Sequence, residues 1–115
     1  MSEFQLGEPG LLVLTALAAG PQHGYAIIAD IQHISDGEVR LHAGTLYAVL
    51  DRLRQAGLIE VEREEVVQSR LRRYYRITED GARRLGAEAA RRQRRAAVAR
   101  QRLRKAGFAT GTPTS

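Results

Sequence analysis

The chain has 115 residues, a formal net charge of +5, 43% hydrophobic residues and no cysteine. That length suits one small domain with a modest core, for which self-association is a natural source of extra stability. Without cysteine there are no disulfides or thiolate metal sites, and His23, His33 and His42 follow no metal-ligand spacing, so no cofactor is expected.

Residues 1–10 hold two glutamates and no lysine or arginine, unlike a signal peptide. The longest apolar run, Leu11 to Ala19, falls well short of the ~20 residues of a membrane span. A cytoplasmic protein with no membrane partner is the expectation. Residues 9–19, "PGLLVLTALAA", suit a buried helix opened by Pro9 and stopped by Gly20-Pro21. A second helix is expected over 23–34, where Ile27, Ile31 and Ile34 form one apolar stripe with Ile28 beside it. A third begins near Gly44. Leu46, Leu50 and Leu53 mark its buried side, and Gly57 supplies the left-handed residue that ends it.

Two alternating runs follow, "LIEVEREE" and "LRRYYRI", joined by "VVQSR". They predict an antiparallel hairpin in which Glu60, Glu62 and Glu64 form an acidic row opposite Arg72, Tyr74 and Arg76. Thr78 is a suitable N-cap for a last helix over 79–106, rich in Ala and Arg. Leu85, Ala89, Arg92, Ala96, Ala99, Leu103 and Ala106 step by 4, 3, 4, 3, 4, 3 along it, a thin heptad seam. Residues 107–115, "GFATGTPTS", read as a disordered tail.

The fold class expected is therefore mainly α with a small β-hairpin: a winged helix-turn-helix over 1–77, then a C-terminal dimerisation helix over 78–106. In such a fold the third helix enters the major groove of DNA and the hairpin, or wing, lies on backbone or minor groove. With the leucines of the third helix turned inward, its outer side carries Thr45, Tyr47, Ala48, Asp51, Arg52, Arg54 and Gln55. Gly44 leaves room for a phosphate at the helix start, where the dipole favours an anion. Thr45 and Tyr47 offer hydroxyls, and Arg52 or Gln55 can read guanine or adenine edges. Arg70, Arg72 and Arg73 cluster near the tip of the hairpin.

Charge is divided unevenly. Residues 1–77 carry 8 Arg against 10 Asp or Glu, a net of −2, whereas residues 78–115 carry 10 Arg or Lys against 3 acids, a net of +7. Bulk charge thus does not mark the first part as a DNA binder; individual arginines must do so. The basic face of residues 83–105 reads as a solvated surface, a source of long-range attraction to DNA, or a nucleic-acid contact in its own right.

The stretches "LLVLTALAAGPQHGYAIIADI", "GTLYAVLDRLRQAGLIE" and "RRYYRITEDGARRL" resemble the PadR family of transcriptional regulators over about residues 6–86. The resemblance implies a homodimeric winged-helix repressor acting on a palindromic double-stranded operator. It implies that Tyr25, Gly44, Thr45 and Tyr47 lie near DNA, with Tyr25 on the backbone. It departs at the wing tip, where relatives often carry glycine and this chain has "EEVVQSR", and at His42-Ala43, where relatives often show Ser or Pro. The last helix is similar to that of shorter members that dimerise through one long helix, here through Leu85, Ala89, Ala96, Ala99 and Leu103. Some relatives bind flat hydrophobic compounds at the dimer centre, so a hydrophobic small-molecule effector is among the implied partners. The competing function is a winged-helix protein–protein interaction module without DNA binding. An enzyme is not expected, since no phosphate loop or histidine triad is visible.

Overall fold

The computed structural model describes residues 5–109. Its elements run α1 (Glu8–Ala18), β1 (Gln22–His23), α2 (Gly24–Ile34), α3 (Ala43–Gln55), β2 (Ile59–Val67), β3 (Arg70–Ile77) and α4 (Glu79–Lys105). The chain divides into two compact units, Met1–Leu85 and Gly86–Ser115. Most of the expected disordered tail, residues 110–115, lies outside the described residues.

The core of the first unit is built from the predicted stripes. Val13, Leu14 and Leu17 of α1, Ile27 and Ile31 of α2, and Leu46, Leu50 and Leu53 of α3 are each at most 1% exposed. Each such aliphatic side chain contributes about 1.5–3 kcal/mol by leaving water. Ile59 and Tyr75 close the core from the sheet, and Ile28, Ile34 and Leu85 pack against its margin. Three short helices joined by tight turns thus bury one apolar side each and leave the other outward.

The end of α3 is tied off as its glycine predicted. Gly57 sits at φ 77°, and its N–H donates to the Arg54 carbonyl at 3.0 Å while the Leu58 N–H donates to the Leu53 carbonyl at 3.0 Å. This is a Schellman closure, completed by burial of Leu53 and Leu58. The next turn of chain is locked to it. Thr78 donates from its N–H to the Leu58 carbonyl (3.0 Å) and from Oγ1 to the Gly57 carbonyl (2.7 Å). The same Oγ1 accepts from the Gly81 N–H at 3.0 Å and so caps α4.

The sheet has the order β1-β3-β2, with all neighbours antiparallel. The hairpin differs from the expected one in two ways. It is longer: both strands run through the segment read as a connection, leaving only Gln68 and Ser69 as the turn. Both have positive φ, 51° and 64°, which makes a tight turn of the kind that matches strand twist. It is also bulged. Val61 pairs with Tyr75 and Arg63 with Tyr74, so Glu62 is the extra residue.

The bulge corrects the predicted rows. Unbroken alternation would set Arg63 opposite Arg73 and Glu65 opposite Leu71. With Glu62 bulged, Glu64 faces Arg73, Glu65 faces Arg72 and Val66 faces Leu71. Opposite charges and apolar partners thus meet, where like charges would otherwise oppose each other. Glu64 consequently leaves the expected acidic row and shares the Tyr75 side of the ribbon, while Arg63 turns to the other side and lies 3.8 Å from the centre of the Tyr74 ring.

The sequence pattern gave no sign of β1. Its two residues pair with β3 through Gln22–Tyr75 and His23–Tyr74, and they bring the start of α2 to the base of the wing. In the second unit, α4 is solvent-exposed along most of its length; Val98 and Leu103 are its exposed large apolar side chains.

Candidate nucleic-acid interface

Three helix starts meet their unpaired N–H groups in different ways. His23 caps α2, its Nδ1 accepting from the Ala26 N–H at 3.4 Å, and Thr78 caps α4. The start of α3 has neither a side-chain cap nor an acidic residue in its first turn. Its donors and the positive end of its dipole remain available to an anion. Ala43, Gly44 and Thr45 are all exposed there. A Cβ built on Gly44 would meet nothing within 4 Å, so no neighbour in the chain requires glycine at this position.

One turn further on, Tyr47 is 46% exposed and Tyr25 of α2 70% exposed. The Tyr47 phenol lies over the first residue of α2: a Cβ on Gly24 would fall 2.7 Å from the Tyr47 hydroxyl oxygen. Gly24 thus permits the tyrosine to lie flat across the junction of α2 and α3.

The wing completes the site. A cleft of ≈ 380 Å³ is lined by Tyr25, Tyr47 and Asp51 from the helices and by Arg70, Leu71, Arg72 and Arg73 from β3. The wing cations are unequally engaged. Arg73 bridges Glu64 at 3.3 Å, Arg63 bridges Glu62 and Glu65 at 2.9 Å each, and Arg76 pairs with Glu60. The Arg73 guanidinium is also held in its charged form by the Tyr75 hydroxyl. Among the described residues no ion pair closes on Arg70 or Arg72. These two are the wing cations with least to give up on meeting a phosphate.

The predicted site residues do not all converge. Tyr25, Tyr47, Arg70, Arg72 and Arg73 share the cleft, with Gly44 and Thr45 exposed one turn before Tyr47. Arg54 and Gln55 instead line a shallow depression beside Glu60 and Val61 of β2, and Arg52 borders one beside Gly7 and Pro9 at the start of α1. All three are exposed, but they occupy other flanks of α3. Sequence reasoning missed His23, which the structure places both as a cap and against the wing, its ring 5.4 Å from Tyr74 in an edge-on contact. A histidine preceding Gly-Tyr at a helix start was the available signal.

Burial pushes the His23 imidazole below its usual pKa of 6.5; the Arg72 guanidinium adds to the shift and Glu65 opposes it. In the pH range just below 6.5 the unfolded chain therefore binds a proton that the folded chain refuses. The stability associated with this group is complete above that pH and is lost as pH falls through the lowered folded value. His23→Asn keeps a capping acceptor without a titrating ring. Melting temperature measured from about pH 7 down to 5 should fall less steeply for the variant; parallel curves would remove His23 from the acid response.

Among the described residues no group of His, Asp and Glu could hold a metal ion, and no helix is long and apolar enough to cross a membrane. Residues 13–87 match the Transcriptional regulator PadR-like family. The chain is a member of the PadR family. The mainly helical fold with its small antiparallel sheet and long last helix is that of PadR-family regulators, and the family is one of transcriptional regulators.

This PadR-family chain is 38% identical over 81 residues to the transcriptional regulator Rv3488 of Mycobacterium tuberculosis, covering 70% of this chain and 72% of that protein. It is 32% identical over 79 residues to the transcriptional regulator YqjI of Escherichia coli, covering 69% of this chain. It spans only 36% of the length of YqjI. Among solved structures, a PadR family transcription regulator from Clostridium difficile superposes with a TM-score of 0.71 at 25% identity, covering 84% of this chain and 99% of that one. Bacillus subtilis PadR, solved in complex with operator DNA, shares the fold with a TM-score of 0.61 at 20% identity over 69% of this chain and 45% of that one.

Proposed function

We propose that this PadR-family regulator is a homodimeric, sequence-specific DNA-binding repressor that recognises a palindromic operator and is released by a hydrophobic small molecule. The observation that carries the DNA reading is the cleft in which Tyr25, Tyr47, Arg70 and Arg72 converge beside the uncapped start of α3. Phenol hydroxyls and guanidinium groups in one concavity, with the uncapped amides of the α3 start just before Tyr47, suit a phosphodiester backbone. The outer side of α3 supplies Thr45, Arg52, Arg54 and Gln55 for base edges or flanking phosphates. The solved complex of B. subtilis PadR with operator DNA supports the same reading. Dimerisation is supported by the exposed seam of Ala89, Ala99 and Leu103, with Ala96 half-buried; Leu85, the first residue of that seam, packs against the core of the first unit. The effector reading rests on the family resemblance.

Selection of bound duplexes from a random library with the purified protein tests this directly. A palindromic consensus is expected, and no detectable duplex binding at low salt would sink the proposal. Replacing Arg70 and Arg72 together by alanine should lower the slope of log K against log salt by roughly 1.8, since each neutralised phosphate contributes ~0.9. An unchanged slope would place the wing off the DNA.

A second reading, a protein–protein interaction module, draws on two observations. The net charge of residues 1–77 is −2, and the cross-strand pair Val66 and Leu71 at the wing is 74% and 60% exposed. The same library selection decides between the two.

A further inference from the structure

Beyond Arg91 the second unit carries positive charge that no ion pair among the described residues neutralises. Between residues 92 and 105 the sequence "RQRRAAVARQRLRK" holds seven cations and no acid. Among the described residues, no ion pair reaches any of the seven; the last one along the helix joins Arg91 to Glu88 at 3.0 Å. Every residue from 92 to 105 except Ala96 is exposed. Like charges spaced four apart, as at Arg91–Arg95 and Arg100–Arg104, weaken an isolated helix by a few tenths of a kcal/mol each.

The cations are not spread evenly. At 100° per residue, Arg94, Arg95, Arg102 and Lys105, with the ion-paired Arg91 and the exposed Val98, fall within an arc of roughly 100°, outside which lie Arg92, Arg100 and Arg104. The seam of Ala89, Ala96, Ala99 and Leu103 lies on the other side. A dimer formed through the seam would therefore leave the arginine stripe uncovered. From Arg91 to Lys105 the stripe is about 21 Å long, over which a B-form duplex presents some six phosphates per strand.

We propose that this stripe is a second, sequence-independent binding surface for duplex DNA, gripping the phosphate backbone separately from the cleft of the first unit. Two observations select this occupant. Residues 79–105 contain no aromatic residue, and Phe108 beyond them stands alone, so there is no row of rings on which successive unpaired bases could stack. The opposite side of the helix offers alanines and one leucine interrupted by Arg92 and Arg100, too little apolar surface to hold an amphipathic helix on a membrane. Six of the seven cations are arginine, whose planar fork matches phosphate oxygens better than the ammonium of lysine does.

The test uses the full chain with Arg94, Arg95 and Arg102 changed to Gln, a helix-compatible residue, and a second variant with the same three changed to Lys. Binding to a duplex of arbitrary sequence is titrated across salt, alongside phosphatidylserine vesicles. The Gln variant should lose two to three units of slope in log K against log salt, at ~0.9 per phosphate, and at least about tenfold in affinity near 0.1 M salt. The Lys variant should retain the slope, with helix content and dimer mass unchanged in both. A Gln variant with the wild-type slope overturns the proposal, as does tighter binding to vesicles than to duplex. Failure here is separable from failure of the operator reading. Library selection yielding no consensus, with stripe-dependent binding intact, removes the operator reading alone; a consensus selected with undiminished strength by the Gln variant, together with an unchanged slope, removes this proposal alone.

Discussion

Gly81→Ala should unfold this protein far more readily than any ordinary glycine-to-alanine change in a helix. A methyl group there would lie 2.1 Å from the Leu58 carbonyl oxygen and 2.8 Å from a carbon of Ile77. The first obstacle is backbone, and it cannot rotate aside. That carbonyl also accepts the Thr78 N–H, and Thr78 Oγ1 holds both the Gly57 carbonyl and the Gly81 N–H. Relieving the clash therefore means moving the first turn of α4 away from the end of α3 and stretching the two hydrogen bonds from Thr78 that join them. Overpacking of this kind costs about 1–3 kcal/mol, and each weakened hydrogen bond adds about 1 kcal/mol. A loss of roughly 3–5 kcal/mol corresponds to a fall in Tm of about 15–30 °C for a domain of this size. Gly86→Ala is the control. It lies on the same helix, with nothing within 4 Å of its added Cβ, and should raise stability by about 0.5–1 kcal/mol on helix propensity alone. Thermal unfolding followed by circular dichroism checks both, and a Gly81→Ala shift below about 3 °C would contradict the junction described above.

The second large effect is expected at the start of α3, and there stability and binding should move in opposite directions. Gly44→Glu replaces a poor helix former in open space with a good one. It also places a carboxylate at a helix start that has no acid of its own. Propensity and dipole together should stabilise the fold by about 1–2 kcal/mol. The same carboxylate would face the phosphate proposed to sit at those amides. Like-charge juxtaposition in an interface costs several kcal/mol, so affinity for operator DNA should drop by at least about 100-fold. Measuring Tm and duplex affinity on the same preparation separates this outcome from simple damage. A variant that is more stable and binds as well as the parent would show that no phosphate approaches the start of α3.

The helical part of the fold was readable because each helix announces itself locally. Ile27 and Ile31, or Leu46, Leu50 and Leu53, declare a buried side by spacing alone, and Gly57 marks where α3 must stop. The sheet was less legible because its irregularities depend on partners. Gln22 and His23 become a strand only when β3 lies beside them. The bulge at Glu62 is invisible to a rule of strict alternation and is explained by comparing which pairs each register would bring together. The turn at Gln68-Ser69 lacks the Asn-Gly or Asp-Gly signal of a two-residue hairpin, so it reads as a longer loop.

The site divides in the same way. Which residues of α3 face outward followed from which face inward, and Thr45, Tyr47, Arg52, Arg54 and Gln55 are all exposed. Which of them share a concavity with the wing did not follow. That depends on where α1 and β2 abut α3, and it sets Arg52 and the pair Arg54 and Gln55 apart from Tyr47.

The joint between Gly57, Leu58, Thr78 and Gly81 has a mechanical meaning as well. A threonine side chain 2.7 Å from one carbonyl and a backbone amide 3.0 Å from the next leave no slack between the two helix ends they connect. Displacing the opening turn of α4 against the trailing end of α3 therefore strains these two hydrogen bonds directly, although the whole hairpin separates the two helices along the chain.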